Sequence, residues 1–254
     1  RMALLSRASK RTTNYAPVEA FMKSHPGVER FCRFMALKKA NGGKEWTEWT
    51  VDVPDEDELR TWYFAQFAFF TQWAEIKAYA NKKGIKIIGD IPIYVAHDSA
   101  DVWASREQFL LDENYNPTLV AGVPPDAFSE TGQLWGNPIY NWPLMEQQNF
   151  SWWMARVRGA FQLYDILRID HFRGFAGYYA IPYGAENARE GQWQKGPGLA
   201  FLQAVKAALP GTALIAEDLG FLTPDVHKLR DEANLPGMKV LEFAFDGDGN
   251  NPYL

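Results

Sequence analysis

The chain has 254 residues, is 47% hydrophobic and carries a formal charge of −5. That is enough apolar material for one large domain with a substantial core. The acidic balance, with no long Lys/Arg cluster, argues against a nucleic-acid surface. There is no run of 18 apolar residues and no signal-peptide pattern. Cys32 is the only cysteine, which excludes an internal disulfide and fits a reducing, cytoplasmic compartment. His25, His97, His171 and His227 are scattered, without zinc-ligand spacing.

Residues 1–12 are basic and short, like the end of a cut element. Pro17 to Lys23 predicts a helix with proline at its first position, and Val28 to Ala40 predicts a second that stops at "NGG". Trp46 and Trp49 flank a polar loop. From about Asp55 to Lys83, Gln66, Phe69, Phe70, Trp73, Ile76 and Ala80 recur at helical spacing, and Gly84 closes the run. "GIKIIGDIPIYVA" (84–96) reads as a buried strand. Residues 97–148 are irregular and rich in Pro, Gly and Asn, a stretch long enough to be an inserted subdomain. A helix from Ser151 to Leu163 leads into "LYDILRIDHFRG" (163–174), where Leu163, Ile166, Leu167 and Ile169 give another buried strand. A helix at Leu199–Leu209 precedes a strand at 212–220. Thr223-Pro224-Asp225 caps a short helix, and "MKVLEFAF" (238–245) reads as a last strand. Strands alternating with helices predict an α/β fold with a parallel sheet. Arg1 opens the chain and "GDGNNPYL" closes it without a capping element, so it reads as a piece of something longer.

Three of these strands start apolar and end in carboxylate, at Asp90, at Asp170 and at Glu217-Asp218. In parallel α/β folds ligands sit at the carboxyl ends of strands, so the three ends would converge on one mouth. Arg168 and Asp170 are two apart and share a face. A guanidinium there keeps Asp170 ionised, as a nucleophile needs. Glu217 follows a mostly apolar approach, and partial burial would favour a proton donor. An ionised carboxylate beside a protonated one is the pair used in glycoside chemistry. Taken singly, the same residues also read as a structural ion pair, a turn signal and a loop brace, and His171 as a packing residue. The type of chemistry stays open at this point.

"PPDAFSETGQLWGNPIYNW" (124–142) narrows it. Phe128, Trp135, Tyr140 and Trp142 stand among Gly, Pro and polar side chains, and the chain has 10 Trp in all. Sugars have apolar C–H faces and hydroxyl rims, so aromatic faces beside Asn, Gln and Asp suit them; a packed aromatic subdomain would look similar.

The stretches 66–92, 89–103, 122–142, 167–175 and 216–220 together resemble the 4-α-glucanotransferases (amylomaltase or disproportionating enzyme), glycoside hydrolase family 77 of the α-amylase clan. The resemblance runs from about Tyr15 to Leu254. It implies a (β/α)8 TIM barrel, here partial (about strands three to six), with an inserted helical subdomain at 10–55 and a loop-rich one at 97–148. It implies transfer of α-1,4-glucan segments between maltooligosaccharide or starch chains by a retaining mechanism. Asp170 matches the nucleophile, Glu217 the general acid/base and Arg168 the nucleophile-positioning arginine. Asp90, Phe128, Gln133, Trp135, Asn137 and His171 match substrate contacts. No metal or organic cofactor is implied, and neither a nucleic acid nor a membrane as partner.

Two departures stand out. Ala127 occupies a position that is often aromatic in the family. The third acid, in a His-Asp-Asn motif after the sixth strand, has no counterpart here. The expectation is an isolated segment that is inactive by itself. The rival readings are an α-glucan hydrolase, which uses the same acids, and a non-catalytic glucan-binding protein. A phosphate-binding barrel is disfavoured because no Gly-rich phosphate loop is visible.

Overall fold

The computed structural model describes residues 1–127, 129–220 and 222–245, without the side chain of Phe243. The chain opens with α1 (Met2–Arg11), α2 (Ala16–Ser24) and α3 (Pro26–Ala40), followed by the long α4 (Glu56–Lys82). Local chemistry explains these bounds. The Asp55 side chain accepts from the Glu58 N–H at the start of α4, and Glu56, Asp57 and Glu58 line its positive end. Gly84, at φ +76°, takes the left-handed turn that ends it. Asn41 ends α3 and is fully used: its amide donates to the Leu37 and Val51 carbonyls, and its oxygen accepts from the Thr50 and Val51 N–H groups. The helices α1, α2 and α3 pack on α4.

Next come β1 (Ile88–Ile91), α5 (Ala100–Ala104), β2 (Leu119–Val123), β3 (Gln133–Pro138), α6 (Trp142–Gln147), α7 (Ser151–Leu163) and β4 (Ile166–Ile169). After these run β5 (Gly177–Pro182), β6 (Gln192–Lys195), α8 (Gly198–Ala208), β7 (Ala213–Ala216) and α9 (Pro224–Glu232). Two sheets result. One is parallel, in the order β1-β4-β7; the other is antiparallel, in the order β3-β2-β5-β6. The segments that follow β1 and β4 each give two strands to the second sheet, so the excursions from two neighbouring parallel strands are stitched together. One face of the parallel sheet is buried, with Ile91, Leu167, Ile169, Leu214 and Ala216 in the main core beside Trp153 and Val157 of α7 and Phe201, Leu202 and Val205 of α8. The opposite face carries Ile88, Asp90 and Arg168.

Several sequence expectations change. The strand expected over 84–96 is four residues long. Pro92 has no N–H to donate, and the next carbonyls go elsewhere: Ile93 accepts from the Tyr140 hydroxyl and Val95 from Asn137. Leu163 ends α7 rather than starting β4. The strand expected over 212–220 is limited to Ala213–Ala216. The stretch 97–148, expected to be irregular, contains α5, β2, β3 and α6, while β5 and β6 had no predicted counterpart. Thr223 precedes α9 but makes no side-chain cap; Pro224 at the first position sets the turn instead.

The strand expected over 238–245 is absent: Leu241–Phe245 forms a 3-10 turn. Its approach to β7 amounts to one backbone bond, Ala216 N–H to the Pro236 carbonyl, because the Met238 N–H donates to the Asp218 carboxylate instead of a ladder. Gly237 lies so close to that carboxylate that a Cβ would stand 2.2 Å from it.

Candidate active site

Parallel register places the acids. Asp90 on β1 is directly opposite Arg168 on β4, and Ile169 is opposite Ala216 on β7, so Asp170 and Glu217 follow at matching positions. With side chains alternating along a strand, Asp90, Arg168, Asp170 and Glu217 share one face at one end of the sheet. The Arg168 guanidinium grips Asp90 with two bonds of 2.9 Å each and reaches Asp170 with a third of 3.0 Å. A planar fork that holds one carboxylate and leans on another is geometry only arginine supplies. Hydrogen bonding to Asp90, with smaller contributions from Asp170 and Glu217, raises the Arg168 pKa further above its ordinary value.

Glu217 is held by the backbone. Its carboxylate accepts the His171 N–H at 2.9 Å and the Leu219 N–H at 3.0 Å. His171 is in the left-handed region at φ +50°, a strained turn for a residue with a Cβ. That turn aims its N–H at Glu217. Burial, helped by the nearby Arg173, lowers the His171 pKa to about 4, so its imidazole is neutral at neutral pH. Asp218, next to Glu217, faces away and is structural: it accepts from Arg230 and from the Met238 N–H.

The aromatic loop reaches the same place. The Trp135 ring meets the His171 ring edge-on at 4.8 Å, and its indole N–H donates to Gln133 at 3.0 Å. The Asn137 amide donates to the Val95 carbonyl and so fixes β3 to the segment leaving β1. Of the residues singled out from the sequence, Asp90, Arg168, Asp170, His171, Glu217, Gln133 and Trp135 are therefore brought together. Asn137 braces them from behind. Phe128 lies outside the described residues. Sequence reasoning missed the β5–β6 hairpin, whose Trp193 lies under the Arg173 guanidinium at 4.2 Å. The available signal was the polar–aromatic alternation of "QWQK" between Gly191 and Gly196. Among the described residues no group of three or more His, Cys, Asp or Glu is placed to hold a metal ion, and no helix is long and apolar enough to cross a membrane.

An arginine-aimed aspartate and a backbone-held glutamate, at the carboxyl ends of adjacent parallel strands, form the arrangement used by two-carboxylate enzymes of sugar chemistry. Comparison with known proteins places the chain within that class. The family model of glycoside hydrolase family 77, described as 4-alpha-glucanotransferase, matches residues 1–254, and the chain belongs to this family. It is 48% identical over 241 residues to the 4-alpha-glucanotransferase of Clostridium butyricum, covering 89% of this chain and 50% of that one. It is 49% identical over 239 residues to that of Synechocystis, covering 88% and 47%. The chain thus spans about half the length of the curated relatives it matches. Among solved structures it is similar to the amylomaltase of Streptococcus agalactiae in complex with acarbose, with a TM-score of 0.86, 40% identity, and coverage of 93% of this chain and 51% of that one. The amylomaltase of Corynebacterium glutamicum shares the fold at 20% identity, with a TM-score of 0.76.

Proposed function

We propose that this chain carries the nucleophile and the general acid/base of a 4-α-glucanotransferase, and that β1, β4 and β7 are the third to fifth strands of a (β/α)8 barrel with subdomains inserted at 10–55 and 97–148. The observation that carries the reading is the Arg168 fork, which fixes Asp170 beside Glu217 on one face at the carboxyl end of the sheet. Glu217 protonates the glycosidic oxygen of an α-1,4-glucan while an oxygen of Asp170 attacks C1. The C1–O bond breaks, the reducing-end piece leaves with the proton, and a β-glucosyl ester forms on Asp170. The 4-hydroxyl of an acceptor then loses its proton to Glu217 and attacks C1. Asp170 departs as a carboxylate and a new α-1,4 bond is made. A protonated carboxyl donates through one oxygen, so in its acid form Glu217 keeps only one of its two backbone bonds at full strength. Trp135, seated on His171, shields the ester from water. Asp90 contacts the donor sugar, and Gln133 and Trp135 overhang the cleavage point.

The test is to incubate the full-length gene product with maltotriose and separate the products by length. Glucose plus a ladder of longer maltooligosaccharides, abolished by Asp170→Asn, supports the reading. Glucose and maltose alone point to hydrolysis, and binding without turnover points to a non-catalytic role.

A further inference from the structure

A small cleft of about 120 Å³ lies between α3, α5 and the start of α7. Its lining includes Gly27, Arg30 and Phe31 of α3, Asp101 of α5, Ser105 and Trp152. None of these belongs to the acid cluster, and the chemistry proposed above does not use them. Two opposite charges border this space without closing on each other. Arg30 and Asp101 sense each other's charge, and Asp101 also senses Arg156. Among the described residues, neither the Arg30 guanidinium nor the Asp101 carboxylate has a hydrogen-bond or ion-pair partner. Both side chains reach solvent at the mouth of the cleft. Even so, desolvation by the surrounding protein raises the Asp101 carboxyl above its ordinary pKa, and the positive charges of Arg156 and Arg30 offset this only in part. A carboxylate that has lost water and gained no donor keeps unused acceptors, and the guanidinium keeps unused donors.

The apolar part of the lining is aromatic and fixed. The Trp152 ring meets Phe109 edge-on at 5.7 Å and Trp153 edge-on at 5.8 Å, and lies 5.5 Å from Tyr140. Phe31 is held edge-on by Trp62 at 5.8 Å. Trp152 and Phe31 are both half-buried, so part of each ring stays open to the cleft. A ring locked by its neighbours is a prepared platform, unlike a mobile surface side chain. Gly27 adds no side chain at the rim; a Cβ there would stand 4.0 Å from the Arg30 Nη2 and narrow the cleft. Neighbouring hydroxyls can donate to a carboxylate and accept from a guanidinium at once, while the C–H face of a pyranose lies on an indole. The two lining charges cancel, which suits a neutral ligand better than an anion. The volume is below the range of about 300–1,000 Å³ typical of drug-sized ligands, so the cleft takes one partly inserted ring and not a length of chain.

We infer that this cleft binds a single glucopyranose unit away from the acid cluster, with Asp101 and Arg30 as the hydroxyl-binding pair and Trp152 as the platform. The unit is either free glucose, which the maltotriose reaction proposed above releases, or the non-reducing end of a glucan. The inference goes beyond the transferase reading and does not depend on it.

The test places a reporter in the cleft. Ser105→Cys is made in the full-length gene product, with Asp170→Asn present so that maltotriose is not consumed, and its labelling by a thiol reagent is timed. The same protein without Ser105→Cys gives the background, Cys32 being buried. Glucose at about 50 mM is expected to slow labelling at position 105 about fivefold, as a Kd in the millimolar range implies. Protection by maltotriose as well assigns the glucan end as a source, and protection by glucose alone assigns the free sugar. Arg30→Ala and Asp101→Asn, both at exposed positions, are each expected to cut the protection to less than about twofold without moving the urea midpoint. Absence of protection by either sugar overturns the site, and so does protection that survives both variants. Equal protection by sorbitol, which has the hydroxyls without the ring, or by alanine, whose opposite charges match Arg30 and Asp101, overturns the sugar assignment. Absence of transfer by the parent protein, measured separately, overturns the transferase reading and leaves this site standing.

Discussion

Replacing Arg168 with lysine separates its charge from its geometry. The guanidinium makes two bonds of 2.9 Å to Asp90 and one of 3.0 Å to Asp170. An ammonium keeps the charge, but it cannot hold one carboxylate in a planar fork while touching a second. Two of the three bonds are lost at best. A charge-assisted bond contributes about 1.5–3 kcal/mol when well shielded. Asp90 and Asp170 side chains are 53% and 42% exposed, so solvent screening reduces each to about 0.5–1 kcal/mol. The expected loss of stability is about 1–2 kcal/mol, read from urea unfolding of the full-length protein. The loss of turnover should be larger, because a reacting group displaced by about 1 Å costs roughly a hundredfold. Maltotriose disproportionation measured beside the unfolding curve separates the two effects. A lysine variant that keeps activity within about threefold of the parent would refute the claim that the fork aims the nucleophile.

Other outcomes follow from neighbouring features. His171 has its folded pKa lowered to about 4 by burial and Arg173, against an ordinary 6.5, so the unfolded chain binds the proton first as pH falls. Its contribution is complete above pH 6.5 and is lost toward pH 4, by up to about 3 kcal/mol; urea midpoints at pH 7 and 4.5 should fall less steeply in His171→Gln, and equal slopes would contradict the assignment. Gly89→Ala places a Cβ 1.9 Å from the Tyr164 ring and should destabilise by about 1–3 kcal/mol, with partial recovery when Tyr164 is also shortened to leucine. Trp135→Ala uncovers His171 and should shift products from longer maltooligosaccharides toward glucose plus maltose, the products of water attack on the ester. A product ratio that does not move would remove Trp135 from the water-excluding role.

The parts of the fold that were legible in the sequence are those set by short-range signals. Helix α7 begins and ends where its periodicity and flanking residues put it, and α4 is bounded by its Asp55 cap and Gly84. The acids at the strand ends could be read because each interrupts an apolar run, and the parallel register brings them to one face. What could not be read depends on partners far along the chain. The run 238–245 is as apolar as a strand, but Asp218 claims the Met238 N–H that a ladder would need. β5 and β6 exist because β2, more than 50 residues earlier, offers an open edge. Trp193 was overlooked for the same reason: its relation to the acids appears only once that second sheet is assembled. His171 read as a packing residue, and half of that holds, since its ring packs on Trp135 while its backbone serves Glu217.

Arg168 ties β1 to β4, and Glu217, through the His171 N–H, ties β7 to the turn after β4. The groups proposed to act on the sugar bond thus also pin together one end of the sheet. In many enzymes the reactive residues are a liability to stability, and replacing them firms the fold. Here a chain that mutates its acids loosens three strands at once. Selection for foldability alone would tend to preserve them, so a descendant that had lost the chemistry would still carry its residues, and their presence in a distant relative would be weak proof of activity. An engineer seeking a sturdier scaffold should leave this cluster alone.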